Sequence, residues 1–278
     1  MKAMTLLKIA AGLAALYLVF VLLIAAVQDW LLFPRWLMAS GAVSLPADAE
    51  RVSIEVPDVG ALVGVVLPAE RAPPEGSALV LGFGGNAWDA DLLAIYLRSL
   101  FPNRDIVTVH YRGYGPSAGR PSAEVILDDA ELIFDEIIAP RDGDRTVVVG
   151  LSLGAGPAAH LASRRPVAGM ILVTPFDSIE ALAGDLYPWL PVRQLLRHRM
   201  DVAEAVDGSS AHVAIIAAER DQIVPARRTE ALRRASGDLV LDRVIPGVGH
   251  NDIYDSKDFA QAMRDALAVI EDRSGRDK

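Results

Sequence analysis

Residues 146–164 read TVVVGLSLGAGPAAHLASR, and the change of texture along them decides the fold. Thr146 to Val149 are all β-branched, the composition of a strand buried on both faces. From Leu153 to Arg164 the apolar positions fall at helical spacing. Between the two lies Gly150-Leu151-Ser152-Leu153-Gly154, where the chain must turn from strand to helix within a few residues. Side chains at 150 and 154 would collide across so tight a turn, hence the glycines. A strand, a strained serine and an immediate helix lift the serine hydroxyl clear of the strand end, where it can serve as a nucleophile.

The five-residue pattern alone is weak, since chance supplies one in roughly 10% of chains this long. A second copy, Gly115-Pro116-Ser117-Ala118-Gly119, is present here. Context separates them. Ser117 follows a glycine-rich loop and precedes Gly119, Arg120 and Pro121, so no helix starts there. Ser152 is the candidate nucleophile and Ser117 the decoy.

Outward from this unit, short apolar runs alternate with helical ones. Strands are predicted at 52–56 and 62–67, as an opening hairpin, then at 78–81, 105–110, 146–150, 169–173, 212–218 and 239–244. Helices are predicted at 88–101, 123–138, 153–164, 226–235 and 258–272. This alternation predicts an α/β domain over 46–272, with a mainly parallel sheet covered by helices on both faces. Residues 176–210 break the rhythm: they show two short helical stretches, Pro188 and Pro191, and no strand. They are expected to form a small cap above the strand ends. Residues 273–278 are expected to be a tail.

A serine hydroxyl needs a base, and the base needs a carboxylate to orient it. Asp221 follows the strand at 212–218, in a loop; His250 follows the strand at 239–244, in Gly247-Val248-Gly249-His250. Both come after Ser152 in the chain and at strand ends. Glu219 lies at the strand end rather than in the loop. Among the other histidines, His110 precedes the nucleophile, His160 lies two turns along its helix, and His198 and His212 fit a polar surface or a strand start. For the oxyanion, the backbone N–H of Leu153 is one expected donor. The second is expected from the loop Gly82-Phe83-Gly84-Gly85-Asn86-Ala87, at Asn86, with Gly85 the alternative. No cofactor and no metal are implied.

The N-terminus is of another kind. Residues 9–27, IAAGLAALYLVFVLLIAAV, form a run of 19 apolar residues without a charge, long enough to cross about 30 Å of hydrocarbon. It lacks the polar stripe of a core helix. It also lacks a cleavage site, because a cut after Ala26 would put Ile24 at −3. Residues 1–36 are therefore expected to be a retained anchor and interfacial segment. Lys2 and Lys8 precede the run, which by the positive-inside rule puts the N-terminus in the cytoplasm and the domain across the membrane. Trp30, Phe33 and Trp36 fit an aromatic belt, or packing on the domain. The two lysines belong to a total of 27 basic residues, so the rest of the chain sets 25 against 36 acidic ones. Such a domain is a poor partner for nucleic acid. The absence of cysteine excludes disulfides and thiol catalysis.

Taken in order, QDWLLFP at 28–34, Gly85-Asn86-Ala87, Tyr111-Arg112-Gly113-Tyr114-Gly115, Gly119-Arg120-Pro121-Ser122, the Ser152 turn, Thr174-Pro175-Phe176-Asp177-Ser178-Ile179, Tyr187-Pro188-Trp189-Leu190-Pro191, Asp221-Gln222-Ile223-Val224-Pro225 and Gly249-His250-Asn251-Asp252 resemble one branch of the α/β-hydrolases. That branch comprises N-terminally anchored serine hydrolases, including protein depalmitoylases and membrane homologues of yeast and plants. The resemblance implies hydrolysis of carboxylic esters or thioesters through an acyl-enzyme, and the Leu-rich cap with Tyr187 and Trp189, beside a bilayer, suggests a lipid or acyl-protein substrate. The resemblance also implies that Tyr111 to Gly115 shape the floor of the site. One departure matters: Gly84 stands where the family usually has a histidine that supports the oxyanion loop. A peptidase of the same fold and a non-catalytic binding scaffold are the alternatives.

Overall fold

The computed structural model describes residues 2–37, 43–73, 77–141 and 143–276. A long helix, α1 (Lys2–Leu32), leads into the hairpin β1 (Glu50–Val56) and β2 (Gly60–Leu67). There follow β3 (Val80–Phe83), α2 (Ala90–Leu100), β4 (Ile106–Val109), α3 (Ala123–Ile133), β5 (Val147–Leu151), α4 (Ala155–Arg164) and β6 (Gly169–Val173). The cap holds α5 (Ile179–Leu186), α6 (Val192–Leu195) and α7 (Val202–Asp207). The chain closes with β7 (His212–Ala218), α8 (Ala226–Ala235), β8 (Leu239–Ile245) and α9 (Lys257–Arg276).

The sheet runs in the order β1-β2-β4-β3-β5-β6-β7-β8, parallel from β4 onward, with β2 antiparallel to both its neighbours. β5 is buried along its whole length, and its successive residues feed opposite cores. Val148 packs with α3, α4 and α7, while Val147, Val149 and Leu151 pack with α2 and α9. The period of two in side-chain direction makes this division automatic once both faces are covered. From β3 the chain goes first to β4 on one side and then to β5 on the other. The reversal opens a crevice at the carboxyl ends of β3 and β5, where open α/β sheets bind ligands.

Three details differ from the sequence expectation. The cap contains three short helices rather than two. Helix α9 reaches Arg276, so four residues expected in the tail belong to it; Ser274 Oγ donates to the Ala168 carbonyl at 3.2 Å. And α1 does not stand apart. Val21 and Gln28 are buried on the face it turns to the cap, Tyr17 Oη donates to the Trp189 carbonyl at 2.7 Å, and the rings of Phe20 and Trp189 lie 5.5 Å apart. Gln28 bridges the cap backbone, donating to the Leu195 carbonyl and accepting from the Arg197 N–H. Phe33, 1% exposed, enters the core beside Tyr111, Leu153 and Phe176; burying a phenyl ring fully is worth about 1.5–3 kcal/mol. Trp30 and Trp36 remain exposed and stack on each other at 5.2 Å. Of the three aromatics, then, one packs on the domain and two face outward.

Candidate active site

Ser152 has φ +51°, a left-handed conformation that costs a non-glycine residue about 1–3 kcal/mol. The surroundings enforce it. A Cβ on Gly150 would lie 2.5 Å from the Gly154 carbonyl and 2.8 Å from Ala155 Cα. One on Gly154 would strike the carbonyl oxygens of Phe83 and Gly84. The turn can therefore close only with glycine on both sides, and it closes hard against the loop that follows β3.

Ser152 Oγ lies 2.9 Å from His250 Nε2, and His250 Nδ1 lies 2.8 Å from Asp221 Oδ2. An ionised carboxylate only accepts, so Nδ1 carries the proton and Nε2 is left to take one from the serine. The other oxygen of Asp221 accepts from the N–H groups of Ile223 and Val224 at 2.9 and 2.7 Å, which fixes the carboxylate plane. The His250 loop is tied on three sides. Glu219 accepts from the Gly247 N–H at 2.7 Å, Asp252 accepts from the Gly249 N–H at 2.7 Å, and Tyr96 Oη donates to the Tyr254 carbonyl at 2.8 Å. Glu219 thus faces the loop backbone, not the imidazole. His250 and Asp221 side chains are only 8% and 7% exposed, so their interaction is little weakened by water.

Leu153 and Asn86 both line the cleft beside Ser152. The loop from Gly84 to Asn86 has each carbonyl engaged. Tyr111 Oη donates to Gly84 O at 2.7 Å, the Trp88 N–H to Gly85 O at 3.2 Å, and Tyr114 Oη to Asn86 O at 3.0 Å. A peptide unit is planar and trans, so holding the Gly85 carbonyl aims the Asn86 N–H the opposite way. Burial pushes both phenols above their ordinary range, which keeps them protonated donors. These two tyrosines thus anchor the loop that follows β3 at Gly84 and at Asn86. Their carbonyl partners lie far away in sequence, so no local pattern revealed this anchoring.

The cleft encloses about 550 Å³. Leu31 and Leu32 of α1 form one wall, Ile179, Leu182, Leu186 and Tyr187 of the cap another, and Trp88 and Tyr254 a third. No Asp, Glu, Lys or Arg lines it among the described residues. Tyr254, pushed up to about 12 mainly by burial, adds no charge.

A model of the alpha/beta hydrolase family matches residues 78–207. An uncharacterized protein of Mycobacterium tuberculosis is 34% identical over 256 residues, covering 82% of this chain and 90% of that one. The chain belongs to the α/β-hydrolase family. The lysophosphatidylserine lipase ABHD12 of Gallus gallus is 29% identical over 195 residues, 60% of this chain and 51% of that protein. Among solved structures, a membrane phospholipase A described as a bacterial virulence factor superposes with a TM-score of 0.62, covering 97% of this chain and 99% of its own. At 18% identity the likeness is one of fold.

Within this hydrolase the rival residues have other partners. Ser117 Oγ donates to the His110 carbonyl and accepts from the Val63 N–H, a buried knot inside a turn. His110 faces Asp91 at 3.3 Å, and His160 faces Glu131 at 2.9 Å. His212 begins β7 and meets Asp238. His198 is not on a polar surface: it is 5% exposed, edge-on to Phe33, with Nε2 2.7 Å from Asp29 Oδ1 of α1. Asp89, Asp91 and His110 bring one potential metal-ligating atom each within 4.8 Å of one another. Their atoms are engaged, however. Both Asp91 oxygens accept from Arg51 at 2.7 and 2.6 Å, and Asp89 caps α2.

Proposed function

We propose that this α/β-hydrolase is a membrane-tethered serine hydrolase that cleaves carboxylic esters or thioesters carrying an apolar acyl group. The observation that carries the reading is the Ser152–His250–Asp221 hydrogen-bonded series at the floor of an apolar cleft walled by α1. Ser152 Oγ attacks the acyl carbonyl while its proton passes to His250 Nε2. The N–H groups of Leu153 and Asn86 receive the oxyanion. Collapse expels the alcohol or thiol, protonated by His250, and leaves the acyl group on Ser152. Water, deprotonated by the same imidazole, then releases the acid. Asp221 holds the imidazole in its working tautomer and stabilises the imidazolium without taking its proton.

Apolar walls favour an acyl chain over a peptide. A peptidase acting on a free terminus would need a charge in the cleft, and the lining supplies none. The lipases among the similar proteins point to the same substrate class. The orientation follows from Lys2 and Lys8, with the N-terminus cytoplasmic and the domain on the far side.

The test is covalent labelling of a membrane extract with a fluorophosphonate. Wild type and Ser117→Ala are expected to label and to turn over esters, while Ser152→Ala does neither. Labelling retained in Ser152→Ala would remove the serine assignment. For orientation, protease added to intact spheroplasts is expected to digest the domain; a protected domain would reverse it.

A further inference from the structure

The cap meets α1 far up its length. Trp189 touches Tyr17 and Phe20, whereas α6 reaches Gln28. At 1.5 Å per residue, contacts from Tyr17 to Gln28 extend about 16 Å along the helix. Tyr17 is near the middle of the uncharged run from Ile9 to Val27. The eight residues before it cover only about 12 Å, well short of the roughly 30 Å of a hydrocarbon core. An anchor that spans the bilayer with this run cannot hold the cap tip in water.

The tip is built for the other solvent. Leu186, Tyr187 and Trp189 are 40%, 48% and 50% exposed. Pro188 and Pro191 have no N–H to satisfy. The N–H groups of Tyr187, Leu190 and Val192 donate to the carbonyls of Ala183, Tyr187 and Leu190, and the Trp189 carbonyl accepts from Tyr17. Irregular backbone survives at membrane depth only when its polar groups are paired in this way. Arg193, directly after the tip, is exposed, and a side chain of its length can carry the charge away from hydrocarbon to the headgroups.

Between the tip and α1 runs a groove of about 290 Å³. Ile24 and Ala25 of the helix line its outer part, and Gln28 is its main polar group. Leu31, Leu32, Ala183 and Tyr187 line both this groove and the catalytic cleft, so the two cavities share walls.

We infer that the cap tip, Tyr187 to Val192, lies immersed in the bilayer beside α1, and that the groove is a lateral port. Through it one acyl chain of a bilayer-resident lipid ester passes from the membrane to Ser152. The substrate class rests on the serine-hydrolase reading above; the depth of the tip does not.

Two measurements test this on the full chain in phosphatidylcholine vesicles. The first uses a variant retaining only Trp189, with Trp30, Trp36 and Trp88 changed to Phe. Its fluorescence is expected to be quenched by spin labels on the acyl chains and to be insensitive to aqueous iodide. Quenching by iodide and not by chain labels would overturn the immersion. The second is Ala25→Phe, which fills the groove from the helix side. The ratio of long-chain phosphatidylcholine turnover to that of a soluble butyrate ester is expected to fall about tenfold or more. An unchanged ratio would overturn the port. Fluorophosphonate labelling run in parallel separates the failures: labelling that survives Ser152→Ala defeats the serine-hydrolase reading while leaving the Trp189 depth as measured.

Discussion

Replacing Tyr111 by Phe removes one hydroxyl and nothing else. The hydrogen bond to the Gly84 carbonyl is lost in a site where Tyr111 is 8% exposed and no water can substitute for it. The net loss of a buried bond, with its acceptor left unsatisfied, is about 1–2 kcal/mol. At about 2–4 °C per kcal/mol for a domain of this size, melting is expected a few degrees lower. A purely structural tyrosine would do no more. If the hydroxyl steadies the loop by holding the Gly84–Gly85 peptide, next to the one that carries the Asn86 N–H, kcat must fall as well, because a full donor is worth about 10²–10³ in rate. A loosened loop forfeits part of that: about tenfold in Tyr111→Phe and about a hundredfold in the double variant with Tyr114→Phe. KM should hardly move, since the ground-state carbonyl needs the donor less than the oxyanion does. The two rings are in edge contact at 5.7 Å, so the double variant is not expected to be the sum of the singles. Melting by calorimetry and steady-state kinetics on a soluble ester decide it. A double variant that melts lower yet keeps kcat within about twofold would refute the argument.

Asp221→Asn is expected to lower kcat by orders of magnitude, while Glu219→Gln, whose amide oxygen can still accept from the Gly247 N–H, stays within severalfold; the reverse ranking in kinetics would move the acid to Glu219. Gly154→Ala pushes a methyl into two backbone carbonyls that cannot swing aside, and a shift of about 1 Å at the elbow costs on the order of 10²-fold in rate. Gly184→Ala, inside α5 with nothing within 4 Å, should instead stabilise by about 0.5–1 kcal/mol; equal turnover in the two variants would contradict the packing. Burial pushes the Asp91 carboxyl up, but hydrogen bonds from His110 and Arg51 outweigh it and hold the carboxyl below its usual range. Its stabilisation is therefore full above about pH 4 and lost as pH falls through the lowered value. The gap in melting temperature between wild type and Asp91→Asn should close in acid, and a gap that is constant with pH would refute the coupling.

The sheet and the elbow were legible because their causes are local. Buried strands announce themselves by β-branched runs, and the turn at Ser152 by the glycines that sterics demand. Asp221 and His250 could be singled out as candidates because each loop follows a recognisable strand. What stayed hidden depends on partners far apart in the chain. The face that α1 turns to the cap is as apolar as the rest, so periodicity says nothing of docking; only Gln28, at the end of the run, marked it. His198 lies among arginines and looked exposed, yet Asp29 and Phe33 enclose it. The C-terminal helix outran its reading because Ser274 and Gly275 resemble a stop, while Met263, Ala266, Leu267 and Ile270 hold its inner face on the sheet.

The joint formed by Gln28, Asp29 and Phe33 has a kinetic meaning for the tethered hydrolase proposed above. A domain on a flexible leash sweeps a volume of solution. Here the helix is bonded into the cap before it ends, so the leash has no length and the mouth of the cleft keeps a set height and tilt. Such an enzyme samples a surface. Its velocity should follow the mole fraction of substrate within the lipid sheet, and should fall when inert lipid is added at constant bulk concentration.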